Sequence, residues 1–402
     1  MLRRDLSKAL LFASASSAAG FAETARGQTC SAPCYAVIPA ETAAGVTIDP
    51  SQMQYPPGDI RRYFVVGEVD WTAALGRLCS VWKQGVACFI PTGTYPYTAS
   101  PQWYVQNDPL CGSSGHPKCV TLQLTGERGA ILQHTGSGVA FNISSAGSGA
   151  TSVPMTISNI IISGNANTTD GFYAQGVVHS YFRMIEVRNC PGKAFNIRFG
   201  VLNQFDTCFF SVNSFPSTIL PTHGFCLDND GSAGAYTSTC TFTNCFAEGF
   251  PGFGCEIANG SQNTFTGGSF EAVGIGVNID NDSFRNRFVS TWFEANSIAD
   301  ARILGAPPGH FSVGNNFHNC YFGSIAPSQP NISIARGQAT VFEGGFLRWV
   351  DLQSVSRDTL FLGTVFANAA GLGITGVGSY RMIGGTAADG SGYVTATLPN
   401  VG

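Results

Sequence analysis

Phe265-Thr-Gly-Gly-Ser-Phe270-Glu271 and Phe288-Val-Ser-Thr-Trp-Phe293-Glu294 are two copies of one phrase. An apolar residue is followed two positions on by a turn-type residue, then by a triplet that alternates inward, outward, inward. Phe317-His-Asn-Cys-Tyr-Phe322 is a third copy. Nine copies begin at Ile157, Phe182, Phe205, Phe242, Phe265, Phe288, Phe317, Phe342 and Phe361, with steps of 25, 23, 37, 23, 23, 29, 25 and 19 residues. A period in the low to middle twenties built of short β segments signals a stacked coil. Each unit is too small to bury its own apolar face and must bury it against its neighbours. Such a cylinder repeats its outer surface coil after coil, which suits a long polymeric ligand.

A second strand aligns upstream of each copy, marked by two apolar residues with one residue between them. The pairs are Phe141/Ile143, Phe172/Ala174, Phe195/Ile197, Phe225/Leu227, Cys255/Ile257, Val277/Ile279, Ala301/Ile303 and Ile332/Ile334. Period-two alternation points these inward. Turn formers follow at Asn229, Asn259, Asn281 and Gly305, and the second position of the phrase is Asn159, Asn244, Gly267, Ser290, Asn319, Gly344 or Gly363 in seven copies. Asn and Gly tolerate the left-handed backbone of tight corners, so these residues read as structural.

Only 11% of the 402 residues are charged, against about 25% in an average domain. Glycine is abundant, at 49 residues. Both features fit an all-β chain with many corners. Residues 1–27 read as an export signal rather than fold: Arg3-Arg4-Asp5-Leu6-Ser7-Lys8 has the twin-arginine pattern and precedes a weakly apolar stretch, Ala9 to Phe21, too short to span a membrane. Removing it takes away four basic and two acidic residues and moves the formal net charge from -4 to -6. That balance argues against a nucleic-acid partner, which calls for clustered positive charge. Export permits disulfides, and the close pairs Cys30–Cys34, Cys79–Cys88 and Cys111–Cys119 are the candidates among thirteen cysteines. Cys208, Cys245 and Cys320 share one repeat position and read as a row of small core residues. The chain thus divides into the signal, a strap or linker over 28–58, a repeat domain over 59–370 and a Gly-rich cap or tail over 371–402.

The domain opens with a predicted strand, Asp59-Ile-Arg-Arg-Tyr-Phe64. A predicted helix over residues 70–82 follows, with Trp71, Ala74, Leu75, Leu78 and Val81 on one face and Asp70 placed to cap it. Next comes Cys88-Phe-Ile-Pro-Thr-Gly-Thr-Tyr95, a strand running into a turn. Asp70-Trp-Thr-Ala-Ala74 and Pro91-Thr-Gly-Thr-Tyr95 resemble the opening of the pectate-lyase-like superfamily. The resemblance implies a right-handed parallel β-helix with an N-terminal capping helix. It fixes no reaction, since the fold carries lyases, hydrolases, epimerases and non-catalytic binding proteins. Asn167-Thr-Thr-Asp170-Gly171 is similar to a phrase of the polygalacturonase subgroup with one Thr inserted. The subgroup's paired aspartates and Arg-x-Lys are missing, and Thr222-His223-Gly224 is the nearest approach to its Gly-His-Gly.

Once the inward positions are set, the outward ones show where charge collects. Arg198, Asp228, Glu256, Asp280 and Arg302 gather on the middle coils of the aligned strand. Coils stack about 4.8 Å apart, so Asp228 and Asp280, two coils apart, lie roughly 10 Å from each other. Carboxylates at such distances can divide acid and base roles on a glycoside, and Arg can neutralise an acidic sugar. Asp228, Asp230, Asp280 and Asp282 are also candidate Ca²⁺ ligands, although Asp228-Asn-Asp-Gly231 and Asp280-Asn-Asp-Ser283 are good turn sequences in their own right. A second outward row holds Phe209, Phe246, Ser269, Trp292, Tyr321 and Phe346, with Glu248, Glu271 and Glu294 two residues after three of its members. Trp292, Tyr321 and these glutamates are candidate saccharide contacts. An aromatic row of this kind also suits a homo-oligomer interface, such as a trimer, or a covering loop. The expectation is an exported polysaccharide-active enzyme, a lyase or glycoside hydrolase acting on an acidic polymer. The alternative is a non-catalytic saccharide-binding or surface-structural β-helix of the tailspike or adhesin type.

Overall fold

The computed structural model describes residues 34–107, 121–144, 151–212, 217–232, 234–305, 311–324, 330–353, 355–367 and 373–388, and the backbone of 394–397. The chain is a right-handed parallel β-helix. The phrase read from the sequence is its register: Ile157 pairs with Phe182, Phe182 with Phe205, and so on in unbroken order to Phe361. Cys88 and Leu124 extend the column before Ile157, and Met382 extends it after Phe361. These outer coils lack the phenylalanine, which hid them from the pattern. Parallel pairing therefore continues into the segment read as a tail, over Ile374–Gly376, Tyr380–Ile383 and Thr386–Ala388.

Two structural reasons explain the repeat. Inside, phenylalanines stack at coil spacing: the Phe205–Phe242, Phe242–Phe265 and Phe265–Phe288 ring centroids lie 4.8, 4.4 and 4.8 Å apart. Offset stacking adds to plain area burial in such a column. At the corner, the second position of every one of the nine phrases has a positive φ, from Asn159 at 58° to Gly363 at 57°. Where the residue is Met184 or Thr207 rather than Asn or Gly, the stacked coils impose that backbone against its preference. A Cβ at Gly268 would meet the Cys245 carbonyl oxygen at 1.9 Å, so only glycine fits there.

A ladder of buried asparagines along the axis is paired coil to coil. Asn263, Asn286 and Asn315 are fully buried. Each of the latter two accepts from the backbone N–H of the asparagine one coil earlier, at 3.2 and 3.1 Å. The Asn263 and Asn286 amides donate to the carbonyls of Thr237 and Gly260. The cysteine row is core, as expected: the Cys208, Cys245 and Cys320 thiols each donate to the carbonyl of a column phenylalanine one coil earlier, at 3.4–3.5 Å.

The capping helix spans Thr72–Trp82 and buries Ala74, Leu75, Leu78 and Val81, and Asp70 accepts from the Thr72 N–H at 2.8 Å. Two expectations are corrected. Asp59–Phe64 is not a strand but a 3₁₀ turn over Ile60–Tyr63. Asp59 accepts from the Arg61 backbone and guanidinium, and Arg62 turns inward to Glu41. Arg62 and Glu41 are both fully buried. Arg62 also donates to the carbonyls of Tyr35, Ala36 and Tyr55, so its charge enters the interior with its donors satisfied. This pair ties the strap to the cap. Cys79 and Cys88 are not a disulfide: both are free, buried thiols, donating to the carbonyls of Gln102 and Leu78. Cys34 is disulfide-bonded, to a partner outside the described residues. Cys30, Cys111 and Cys119 lie outside the described residues, as do residues 1–27. No helix among the described residues is long and apolar enough to cross a membrane.

Candidate functional site

The ten-stranded sheet carries the aligned strands, and its register joins the outward residues into rows. The central row runs Tyr173, Asn196, Cys226, Glu256, Asn278, Arg302. Beside it Lys193, His223 and Phe253 pair in order. These three lie two residues before inward phenylalanine or cysteine, where strict alternation would turn them inward. Gly224 shows why they face out: a Cβ there would sit 2.3 Å from the Ala247 Cβ, so the glycine itself takes the inward position. The chain kinks at its corner, and alternation resets.

His223 Nε2 lies 2.9 Å from Glu256 Oε2, and Asn278 Nδ2 donates to Glu256 Oε1 at 3.2 Å. Burial raises the Glu256 pKa, but the bond and charge of His223, the Asn278 amide and Lys193 outweigh it and hold the carboxyl below its ordinary value. His223 Nδ1 is 2.8 Å from Thr222 Oγ1, and that hydroxyl has a second acceptor in the Gly192 carbonyl at 3.0 Å. Turning toward Gly192 would free Nδ1. Arg302 donates from Nε to Asn278 Oδ1 at 2.9 Å and lies over the Phe253 ring, which also packs on His223 at 5.0 Å. Burial works against the Arg302 charge, while Asp280 and Glu256 support it. Lys193 reaches the Cys226 sulfur and lies in the field of Asp170 and Asp228. Burial pushes the Cys226 thiol up to about 12, which leaves it a neutral neighbour rather than a nucleophile. The Oδ1 atoms of Asn142 and Asn196 are buried behind this face without a protein hydrogen-bond partner.

The face thus brings Glu256 and Arg302 together, joined through Asn278. Asp228 and Asp280 sit at its edge and do turn work: each accepts from the next backbone N–H, at 2.8 and 2.7 Å, and Asp228 also accepts from Asn259 Nδ2 at 2.7 Å. Arg198 donates to the Asn229 carbonyl at 2.8 Å. Asp230 accepts from the Ser232 N–H. Among the described residues no three His, Cys, Asp or Glu side chains form a metal-sized cluster, so the four aspartates considered for Ca²⁺ are not gathered into one. Lys193 was missed in the sequence and His223 was noted only as part of a motif. The glycine column at 224, 254 and 276 is the signal that could have exposed them.

The second row lies on a different face. Trp292 stacks on Tyr321 at 4.0 Å and Tyr321 on Phe346 at 5.3 Å; Phe209 stacks on Phe246 at 4.5 Å. Glu248, Glu271 and Glu294 are in register one coil apart. Glu248 accepts from Ser211 and Ser269, and Glu294 from the Trp292 indole N–H at 2.9 Å.

Three solved structures similar to the chain can now be set beside this geometry. The A-module of the Azotobacter vinelandii mannuronan C-5 epimerase AlgE6 matches with a TM-score of 0.51 and 13% identity, over 82% of this chain and 99% of that one. The AlgE4 A-module matches with 0.50 and 12%, over 82% and 95%. The chain shares the parallel β-helix fold of these modules. The ORF18 protein of Geobacillus virus E2 matches with 0.49 and 12%, over 82% of this chain, which spans 61% of that longer protein. At such identities the likeness speaks to the fold. No protein-family model matches the chain, and no curated protein matches its sequence.

Proposed function

We infer that the protein is an exported enzyme that acts on an acidic polysaccharide at the His223–Glu256 face, as a lyase. The observation that carries this reading is the His223–Glu256 pair set among Lys193, Arg198 and Arg302. In a polyuronate the C5 proton is acidified by the neighbouring carboxylate once cations neutralise its charge. Arg302 and Lys193 supply that charge, and Glu256 fixes the imidazole through Nε2. His223 Nδ1, released by Thr222, takes the C5 proton, the C4=C5 double bond forms as the C4–O4 bond breaks, and the leaving O4 takes its proton from water. The products are a new chain end and an unsaturated uronate. Hydrolysis fits less well, since it needs two carboxylates free to flank the bond, whereas Asp228 and Asp280 are held by their own turns. That the AlgE6 module is named for an epimerase of mannuronan, a polyuronate, supports the substrate class.

The test is a panel of polyuronates and neutral glycans with purified protein. An unsaturated product from a polyuronate, lost in His223→Ala, is the expected result. Reducing ends without the unsaturated chromophore would assign hydrolysis, and inversion at C5 without chain cleavage would assign epimerisation. Binding without any turnover would favour the saccharide-binding reading.

A further inference from the structure

The outward aromatic row is interrupted once. In register it runs Phe209, Phe246, Ser269, Trp292, Tyr321, Phe346. On one side of Ser269 the Phe209–Phe246 pair is stacked with 12° between rings, and on the other the Trp292–Tyr321–Phe346 stack is inclined by 21° and 14°. Ring centroids near the coil spacing mean that the rings lie across the helix axis, like plates on a rod. Phe246 and Trp292 therefore turn faces toward each other across one missing plate. Two coil steps put them roughly 10 Å apart. Subtracting ring thickness leaves about 6 Å, which admits one saturated six-membered ring and is too wide for direct stacking. Ser269 forms the floor. Its hydroxyl is turned aside to Glu248 at 3.2 Å.

We propose that this notch is a second saccharide site, separate from the His223–Glu256 face, which takes one neutral pyranose of a glycan chain between the Phe246 and Trp292 rings. The walls are backed by further rings and so are preorganised. Trp292 keeps 36% of its surface exposed, whereas Phe346, at the far end of the stack, keeps 7%. The end of that stack facing the notch is thus its open end. Glu248, Glu271 and Glu294 line one side, and a carboxylate has about four lone-pair sites, so Glu248 and Glu294, with the bonds from Ser211, Ser269 and Trp292, keep capacity for sugar hydroxyls. The same three charges repel a polyuronate, which selects a neutral sugar. They also oppose a second copy of this chain: a cyclic trimer closed on this face would bring three acidic rows together.

The experiment measures binding of cellohexaose, maltohexaose and laminarihexaose by calorimetry and by tryptophan fluorescence, in His223→Ala protein so that the other face is silent in turnover. At least one neutral hexaose should bind and shift the Trp292 emission. Trp292→Ala should weaken binding about tenfold or more. Ser269→Phe, which supplies the missing plate, should abolish it while keeping the melting temperature at or above that of the parent. Unchanged binding in well-folded Ser269→Phe would overturn the proposal, as would no binding of any of the three at millimolar concentration. A trimer in light scattering that Trp292→Ala dissociates would reassign the face to a subunit interface.

Discussion

Glu248 and Glu256 belong to one coil, yet their surroundings are opposed. Above and below Glu248 stand Ser211 and Glu271, and Glu294 lies one step further. Above and below Glu256 stand Cys226 and Asn278, with Arg302 next and His223 at its side. In a stacked coil the nearest neighbours of an outward side chain are its register partners about 4.8 Å away, so chemistry is written along columns rather than along the chain. One face collects like charges and aromatic plates; the other runs amide, thiol, acid, amide and cation, with a histidine alongside. The first suits hydroxyl-rich, uncharged ligands, the second a polyanion with a proton to lose. The corner between the faces carries Asp300, which is fully buried and accepts from Asn296, from the Ser324 hydroxyl and backbone and from Asn331.

The largest expected difference between the faces lies in turnover. His223→Ala and Glu256→Gln should each lower kcat on a polyuronate by about 10²–10⁴-fold, the usual contribution of a positioned acid or base. Trp292→Ala should leave kcat on that substrate nearly unchanged. Steady-state kinetics on the three variants checks this, and equal losses in all three would merge the faces into one site. The corner should respond in stability. Asp300→Ala strands several buried donors and should cost about 3 kcal/mol by denaturant unfolding. Burial raises the Asp300 pKa against four helpful hydrogen bonds. Its charge is therefore least tolerated above its folded pKa, and that strain is relieved as pH falls toward the ordinary aspartate value.

Much of this was legible in the sequence because the coil is periodic. Ile157 to Phe361 gave the register, the residue two positions after each gave the left-handed corner, and alternation gave Glu256, Arg302, Trp292 and Glu271 as outward. Alternation failed where the backbone kinks. At Gly224 two successive residues face inward, so His223, whose spacing from Phe225 reads as core, faces the groove instead. The Asp59–Phe64 strand failed because alternation cannot see that Arg62 is drawn to Glu41, 21 residues away. The Cys79–Cys88 pairing rested on a short loop alone, and closeness in sequence says nothing of which way two thiols face: these donate to different carbonyls.

A pH titration sharpens the comparison on a smaller scale. The folded Glu256 pKa lies below its ordinary value because His223, Asn278 and Lys193 stabilise the carboxylate against burial. Its stabilising contribution is therefore present above the ordinary carboxylate value and is lost as pH falls through the depressed one. Wild type should be more stable than Glu256→Gln at neutral pH, and the gap should close in acid. Urea midpoints at several pH values check it; a gap independent of pH would mean that the carboxylate gains nothing from its cations.

The smallest effect separates chemistry from architecture at the rim of the groove. Asp228 and Asp280 each accept a backbone N–H from the following residue, and Asp228 also holds the Asn259 amide. Asparagine keeps the accepting oxygen and the shape, so Asp228→Asn and Asp280→Asn should fold normally. Asp280 also supports the Arg302 charge, so its loss should alter KM for a polyuronate more than kcat. If His223 and Glu256 carry the proton transfer, each asparagine variant loses less than about tenfold in kcat, well short of a lost acid or base. A drop of the size expected for His223→Ala would instead return the acid–base role to the two aspartates. Their turn bonds would then be a resting arrangement that substrate displaces, and the hydrolytic reading with paired carboxylates would take precedence.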